Sequence, residues 1–530
     1  MAELQRVLVT CDLGADALER FARTSGFAVD VADIRDAGLL AERIPGYHAL
    51  IVRSNVDVTA AVLAEGRELR IVGRAGIGVD NIDVEAATRR GIAVVNAPGG
   101  NVVTTAEHAL ALLMSLARRI PQASASMKAG QWEKKRFLGR ELRGKTLGII
   151  GVGRIGSAVA EMALALRLRV LAFDPYLANE RAAQLGVEKA GLDRVLEAAD
   201  FLTVHAPLTP ETQGLLGAEA LARVKPGVLV VNCARGGIVD EAALLGAIEA
   251  GRVAGAALDV FEVEPPPDHP LYHRDEVILT PHLGASTVEA QAKVAVEVAE
   301  AVVSYLASGV APNAVNSPAV SPDAYRRLRP YLDLAERLGL FLTQAVDGPV
   351  ETVRVTCRGA AAEQAPELVT SSVLVGLLQR VLSGRVNAVN AQAAALERGL
   401  RLTTSVASDV QDFADLVSVE VEGPGGGHVL EGTLFGRREP RLVRFDAYRL
   451  DAVPAGNLLL IYNDDVPGVI GNLGSCLGRH GVNISGLNNG RDEPGGRAIT
   501  LVNIDGAAPA AALRDLAALP HILSVREVGL

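Results

Sequence analysis

KTLGIIGVGRIG, residues 145–156, decides the reading of this chain. Lys145–Ile150 is a short apolar run of the kind that forms a buried strand, and Ile155–Leu168 carries helical spacing, so the glycines fall in a strand-to-helix turn. A G-x-G-x-x-G alone is a weak signal; in this context it is a strong one. Gly151 permits the tight turn, Gly153 lets a pyrophosphate approach the backbone, and Gly156 lets helix and strand pack closely. The helix N-terminus adds N–H donors and a partial positive charge. Asp174 ends the next apolar run, 18 residues after Gly156, where a carboxylate binds both ribose hydroxyls and repels a 2′-phosphate. The expected cofactor is NAD rather than NADP.

Around this turn the same alternation continues. VLAFD (170–174), DFLTVH (200–205), GVLVVNCAR (227–235), AGAALDVF (254–261) and EVILTPH (276–282) bring the strands of this series to six. Upstream, RVLVT (6–10), FAVDVA (27–32), HALIV (48–52), LRIVGRA (69–75) and GIAVVN (91–96) alternate with helical segments. Both series predict doubly wound parallel sheets. A helix over about 104–117 follows NAPGGN (96–101), and another runs over about 287–308 before the proline-containing stretch VAPNAVNSPAVSP (310–322), which reads as a linker.

The last 210 or so residues change character. Segments 325–345 and 370–382 have helical spacing, and VSVEVE (417–422), HVLEGTLF (428–435), RLVRFDAYRL (441–450) and NLLLIYN (457–463) read as strands. From Gly456 the order is strand, helix (467–480), strand (482–487), turn, strand (497–504), helix (508–518), strand (522–528), a βαββαβ pattern. At 530 residues the chain has room for three or four domains of ~150 residues. The net charge of −10 argues against a general nucleic-acid binder, and no apolar run is long enough to span a membrane. Cys11, Cys233, Cys357 and Cys476 lie too far apart in sequence for a compact metal site or disulfide framework, so a reducing cytoplasm and no structural metal are expected.

Arg53, Arg74 and Arg235 sit at strand ends or in glycine-rich turns, where guanidinium forks suit an anionic ligand. Glu264, in VFEVEPPP (260–267), and His282, in LTPHLGAS (279–286), suggest a carboxylate–imidazole pair exchanging a proton near neutral pH, although spacing cannot show that they touch.

The runs GRAGIGVDNID, GVGRIG with Asp174, VNCARGGIVDEAAL, ALDVFEVEPP and PHLGAST resemble the D-isomer-specific 2-hydroxyacid dehydrogenases, closely over 4–317. The resemblance implies a discontinuous substrate-binding domain (1–99 and 287–317), a Rossmann-like NAD-binding domain (100–286), an α+β intervening domain of the allosteric substrate-binding type (318–454) and a ferredoxin-like ACT domain (455–530). Arg235, Glu264 and His282 would be catalytic, with Arg53, Ser54, Arg74 and Arg235 on the substrate. Gly151, Gly153, Arg154, Ile155, Gly156, Asp174, Cys233, Ala234, Arg235, Asp259, His282, Leu283, Gly284 and Ala285 match cofactor-contacting positions. Ile77 and Ala206 stand where many relatives have threonine, so hydroxyl contacts there are lost.

The implied reaction is oxidation of 3-phospho-D-glycerate to 3-phosphohydroxypyruvate at the head of serine biosynthesis. Asp465 and Asn483 match effector positions between paired ACT domains, with L-serine the natural effector. Trp132, in KAGQWEKKRFLG (128–139), reads as core filler or, as the resemblance implies, as a subunit contact of a homo-oligomer, dimer or tetramer; Lys134, Lys135 and Arg136 read equally as a solvated basic loop or as reaching a partner's substrate phosphate. The arginine-rich GRREPRLVRFDAYR (436–449) reads either as a solvated strand face or as an anion site. Two other readings compete: a dehydrogenase of another 2-hydroxy acid (glyoxylate or 2-oxoglutarate), and a non-catalytic NAD-sensing regulator.

Overall fold

The computed structural model describes residues 4–359, 365–382, 384–407 and 413–530. Two compact units emerge, 1–96 with 298–530, and 97–297. The long helix Val288–Ser308 contributes to both.

In the first unit, Phe27–Val31, Gln5–Val9, Ala49–Val52, Ile71–Arg74 and Ala93–Asn96 lie side by side in that order, all parallel. Val7–Val9, Ala49–Val52 and Ile71–Val72 in the central strands are apolar runs with no exposure, as a sheet covered on both faces requires. Asp36, Thr59 and Asp83 cap the intervening helices by accepting the N–H of Leu39, Val62 and Ala86. Val52 pairs with Arg74 across neighbouring strands, so Arg53 and Arg74 emerge together at the carboxyl edge. Asn81 donates to the carbonyls of Arg53 and Val56, and Asn96 to that of Ile77, fixing the loops beside these arginines. The stretch expected as a linker is partly docked. Ala314 bridges to Val95, and Asn316 accepts from Val94 N–H while donating to the Ile92 carbonyl and the Thr88 hydroxyl.

The second unit has seven parallel strands rather than six. In spatial order they are Val277–Leu279, Val253–Leu258, Val228–Asn232, Phe201–Val204, Thr146–Ile150, Arg169–Phe173 and Glu188–Lys189. The additional strand is two exposed, charged residues at the sheet edge and carries no apolar signal. Helices Val102–Arg118 and Arg154–Ala165 pack on one face, and Leu192–Ala198, Ala218–Arg223 and Glu241–Glu249 on the other. Strand order reverses between Thr146–Ile150 and Phe201–Val204, which opens a crevice at their carboxyl ends.

The tail adds two sheets to the first unit. Six strands lie in the order Arg401–Ala407, Thr352–Arg358, Leu416–Gly423, Gly426–Phe435, Glu439–Phe445 and Tyr448–Ala452, the first pair parallel and the rest antiparallel. The single strand expected over 441–450 is two, broken at Asp446, whose φ of 51° turns the chain and whose carboxylate accepts Val429 N–H. Helices Pro322–Ala345 and Pro366–Leu378 back this sheet. They cross through Gly339 and Gly376, where a Cβ would come 2.0 Å from Val373 O and 1.9 Å from Glu336 O.

The final four strands, Ile484–Arg491, Arg497–Ile504, Asn457–Asp464 and Ile522–Gly529, form an antiparallel βαββαβ sheet. Leu459, Ile461 and Val502 face its own helices, Val469–Arg479 and Ala510–Ala517. Leu458, Leu460, Leu501 and Val528 on the other face merge with the core around Pro322–Ala345. Among the described residues no helix is long and apolar enough to cross a membrane.

Gly376→Ala should force the two helices of the tail apart and cost about 1–3 kcal/mol, as overpacking does. Chemical denaturation of the full chain measures it; an unchanged midpoint would contradict the close crossing.

Candidate active site

The glycine turn behaves as its spacing predicts. Gly151 has φ 91°, and a Cβ there would meet His205 O at 2.6 Å; one on Gly156 would lie 2.1 Å from Gly151 O. At Gly153 a Cβ would meet nothing within 4 Å, so open space fronts the helix that begins at Arg154. That opening, on backbone N–H groups and a helix N-terminus, suits a pyrophosphate. Arg154 is exposed and Ile155 half-buried in the first turn. Asp174, half-buried, accepts Val152 N–H at 2.8 Å and Tyr176 N–H at 2.9 Å, which orients its carboxylate beside the turn. The donor set and the open cradle at Gly153 fit a dinucleotide.

His205, not singled out from sequence as a site residue, lies against the glycine turn, its carbonyl 2.6 Å from where a Cβ on Gly151 would stand. Its Nε2 lies 2.9 Å from Thr203 Oγ1, and burial pushes its pKa down to about 4, so the imidazole is neutral in the physiological range.

Across the switch point, Asn232 accepts Ala234 N–H and donates to the Arg235 carbonyl, closing the strand end into a turn. Arg235 donates from Nη1 to Ala234 O at 2.7 Å. Cys233 and Ala234 are buried, and burial pushes the Cys233 thiol far above its ordinary pKa, leaving it protonated.

Glu264 and His282 do touch, with Oε2 2.7 Å from Nδ1. A carboxylate can only accept, so Nδ1 carries the proton and Nε2 is left as the basic nitrogen. The other Glu264 oxygen accepts Phe261 N–H at 3.1 Å. Burial opposes the Glu264 charge, but the hydrogen bond to His282 and its field outweigh it and hold the carboxyl below its usual range. The loop that carries Glu264 is itself clamped: Glu241 accepts both Glu262 N–H and the Tyr272 hydroxyl.

Asp259, expected among the cofactor contacts, is built into the loop before His282. It is fully buried, and its carboxylate accepts the Thr280 hydroxyl (2.6 Å), Leu283 N–H (2.7 Å) and Gly284 N–H (2.8 Å). It thereby anchors the loop that holds His282 at φ 52°, with Leu283 partly exposed and Ala285 half-buried beside it.

In the other unit, Ser54 is exposed beside Arg53, and the Arg74 guanidinium lies directly over Gly76. Burial pushes the Cys11 thiol up to about 11, although Arg53 beside it pulls the other way.

Asp465 and Asn483 are not brought together. Asp465 accepts Gly495 N–H and pairs with Arg491, whereas Asn483 donates to Asp505. Register places them at opposite ends of the last sheet, Asp464 opposite Arg497 and Ile484 opposite Ile504. Of the arginine-rich segment, Arg441 pairs with Glu439 and Asp451, and Arg444 donates to Asp446 O. Arg438 instead lines a cavity of ≈ 300 Å³ with Arg326, Arg329 and Arg337, residues the strand pattern did not suggest. Arg136 is engaged with Glu133 and Asp275 of its own chain.

Comparison with known proteins adds sequence and structural kinship to this geometry. Residues 110–284 match the D-isomer specific 2-hydroxyacid dehydrogenase NAD binding domain, and 327–446 the D-3-phosphoglycerate dehydrogenase intervening domain. The chain is similar to a D-3-phosphoglycerate dehydrogenase of Archaeoglobus fulgidus, 44% identical over 99% of this chain and 100% of that one. It is also similar to one of Bacillus subtilis, 41% identical over 99% of each. Among solved structures, a D-lactate dehydrogenase of Aquifex aeolicus complexed with NAD and lactic acid aligns with TM-score 0.53 and 26% identity, covering 59% of this chain and 100% of that one. This chain therefore belongs to the D-isomer-specific 2-hydroxyacid dehydrogenase family, within its D-3-phosphoglycerate dehydrogenase branch.

Proposed function

We propose that the chain oxidises 3-phospho-D-glycerate to 3-phosphohydroxypyruvate, the entry step of phosphorylated serine biosynthesis. The observation that carries this reading is the 2.7 Å Glu264–His282 contact in a unit that also bears the dinucleotide turn. NAD, when bound, supplies the hydride acceptor. His282 Nε2 takes the hydroxyl proton from C2, and Glu264 stabilises the imidazolium that results. Arg235 suits the α-carboxylate, which a planar guanidinium grips bidentately. Arg53, Ser54 and Arg74 are reserved for the anionic substrate. Oxidation uses His282 Nε2 as the base and reduction uses the same imidazole as the acid. Glu264, held below the ordinary carboxylate range, stays ionised through neutral pH and loses the charge only as acid brings pH through its lowered pKa.

The reading extends to four domains with the boundaries given above, the last of ACT type, in a cytoplasmic enzyme. L-Serine is the proposed effector. Asp465 and Asn483 occupy opposite ends of one sheet, so two chains must pair for one ligand to meet both. Trp132 and Leu138, 80% and 86% exposed, with Ile120 and Met127 nearby in sequence, support a homo-oligomer built through this region.

Three measurements test these proposals. With 3-phosphohydroxypyruvate the protein should consume NADH, and His282→Ala or Arg235→Ala should lower turnover by roughly 10³-fold or more while sparing NADH binding. Near-normal turnover in either variant sinks the assignment. Calorimetry of the full chain should give heat with L-serine and none with glycine; silence with both removes the effector. Trp132→Ala should shift sedimentation to a smaller species, and an unchanged profile excludes that contact.

A further inference from the structure

We propose that His108 is a positioning residue for the reaction, holding the Asp259 carboxylate against the loop that presents His282. The proposal rests on the dehydrogenase reading above. His108 lies on the helix Val102–Arg118 and touches none of the expected reacting atoms. Its Nε2 is 3.2 Å from Asp259 Oδ1 and 3.3 Å from Thr280 Oγ1.

The helix offers this loop a stripe of side chains, not one. Thr105 donates to Gly284 O at 3.0 Å, and Thr104 Oγ1 lies 3.4 Å from Thr287 Oγ1. His108 is one turn further along the same face and meets the carboxylate on which Leu283 and Gly284 hang their N–H groups. Backbone dipoles and a hydroxyl are neutral donors. His108 adds an imidazole nitrogen against the fully buried anion.

The titratable groups facing His108 are Asp259 and the buried Cys233 thiol, all three offering atoms within 4.8 Å of one another; Glu107, its neighbour in sequence, is exposed. Asp259 is in turn felt at Glu264, whose carboxyl its field raises. Two imidazole–carboxylate pairs therefore stand in series, one buried and one open to the crevice, joined by the backbone of 280–283 and by electrostatics.

Asp259 is held below its ordinary pKa although burial pushes it up, and His108 is the foremost of the contacts that lower it. Removing that donor weakens the opposition to burial. The folded-state pKa of Asp259 rises, and the stability its ionised form contributes is lost at a higher pH on acidification.

The experiment compares His108→Leu with His108→Gln, which keeps an N–H donor near the Nε2 position. His108→Leu should lower kcat about 10- to 100-fold, with KM for both substrates within about threefold. Its acid limb should move to higher pH, and His108→Gln should recover most of the turnover. Thermal unfolding against pH, which needs no substrate, should show His108→Leu losing stability at higher pH than wild type. If it does while wild type is inactive on 3-phosphohydroxypyruvate, the substrate assignment has failed and not the positioning. A folded His108→Leu protein whose kcat–pH profile and unfolding both superimpose on wild type overturns the proposal.

Discussion

A carboxylate taken out of water costs several kcal/mol unless donors replace its hydration. Asp259 is fully buried, and the donors it accepts from, Thr280, Leu283 and Gly284, belong to the segment on either side of His282. Moving that segment would strand the charge. This is why a non-glycine residue can hold φ 52°, a conformation that costs about 1–3 kcal/mol when left to itself. It is also why the imidazole arrives at Glu264 already aligned.

Charge follows the same logic on a larger scale. A chain of net charge −10 is an unpromising receptor for a substrate with a carboxylate and a phosphate. Within one sheet, Arg53 and Arg74 share the carboxyl edge, and in another Arg235 lies in the turn that ends a strand. A few guanidinium groups at such edges set the local potential whatever the average. Other arginines are paired with acids, as Arg441 is with Glu439 and Asp451.

Much of this was legible from residues alone. Both parallel series, the roles of Gly151 and Gly156 and the βαββαβ order follow from local patterns that need no partner from afar. Two edge strands were not legible: Glu188–Lys189 is charged, and Arg401–Ala407 is largely exposed, so neither shows an apolar stripe. The turn at Asp446 has no glycine or proline to announce it. The Glu264–His282 contact could be suspected but not seen, since 18 residues of sequence fix no distance. His108 was invisible because its meaning lies in its contact with Asp259, 151 positions away.

Asn316 has a consequence for how the protein is made. Its side chain completes the hydrogen bonding of Val94, 222 residues upstream. A ribosome adding 5–20 residues per second needs roughly 10–40 s to cover that interval. Throughout it, the strand Ala93–Asn96 has no Asn313–Asn316 segment along its outer edge. The second unit, lying wholly between the two, is complete by then and can fold first. The order of synthesis thus leaves the nascent first sheet with an open edge during the interval in which the dinucleotide unit closes.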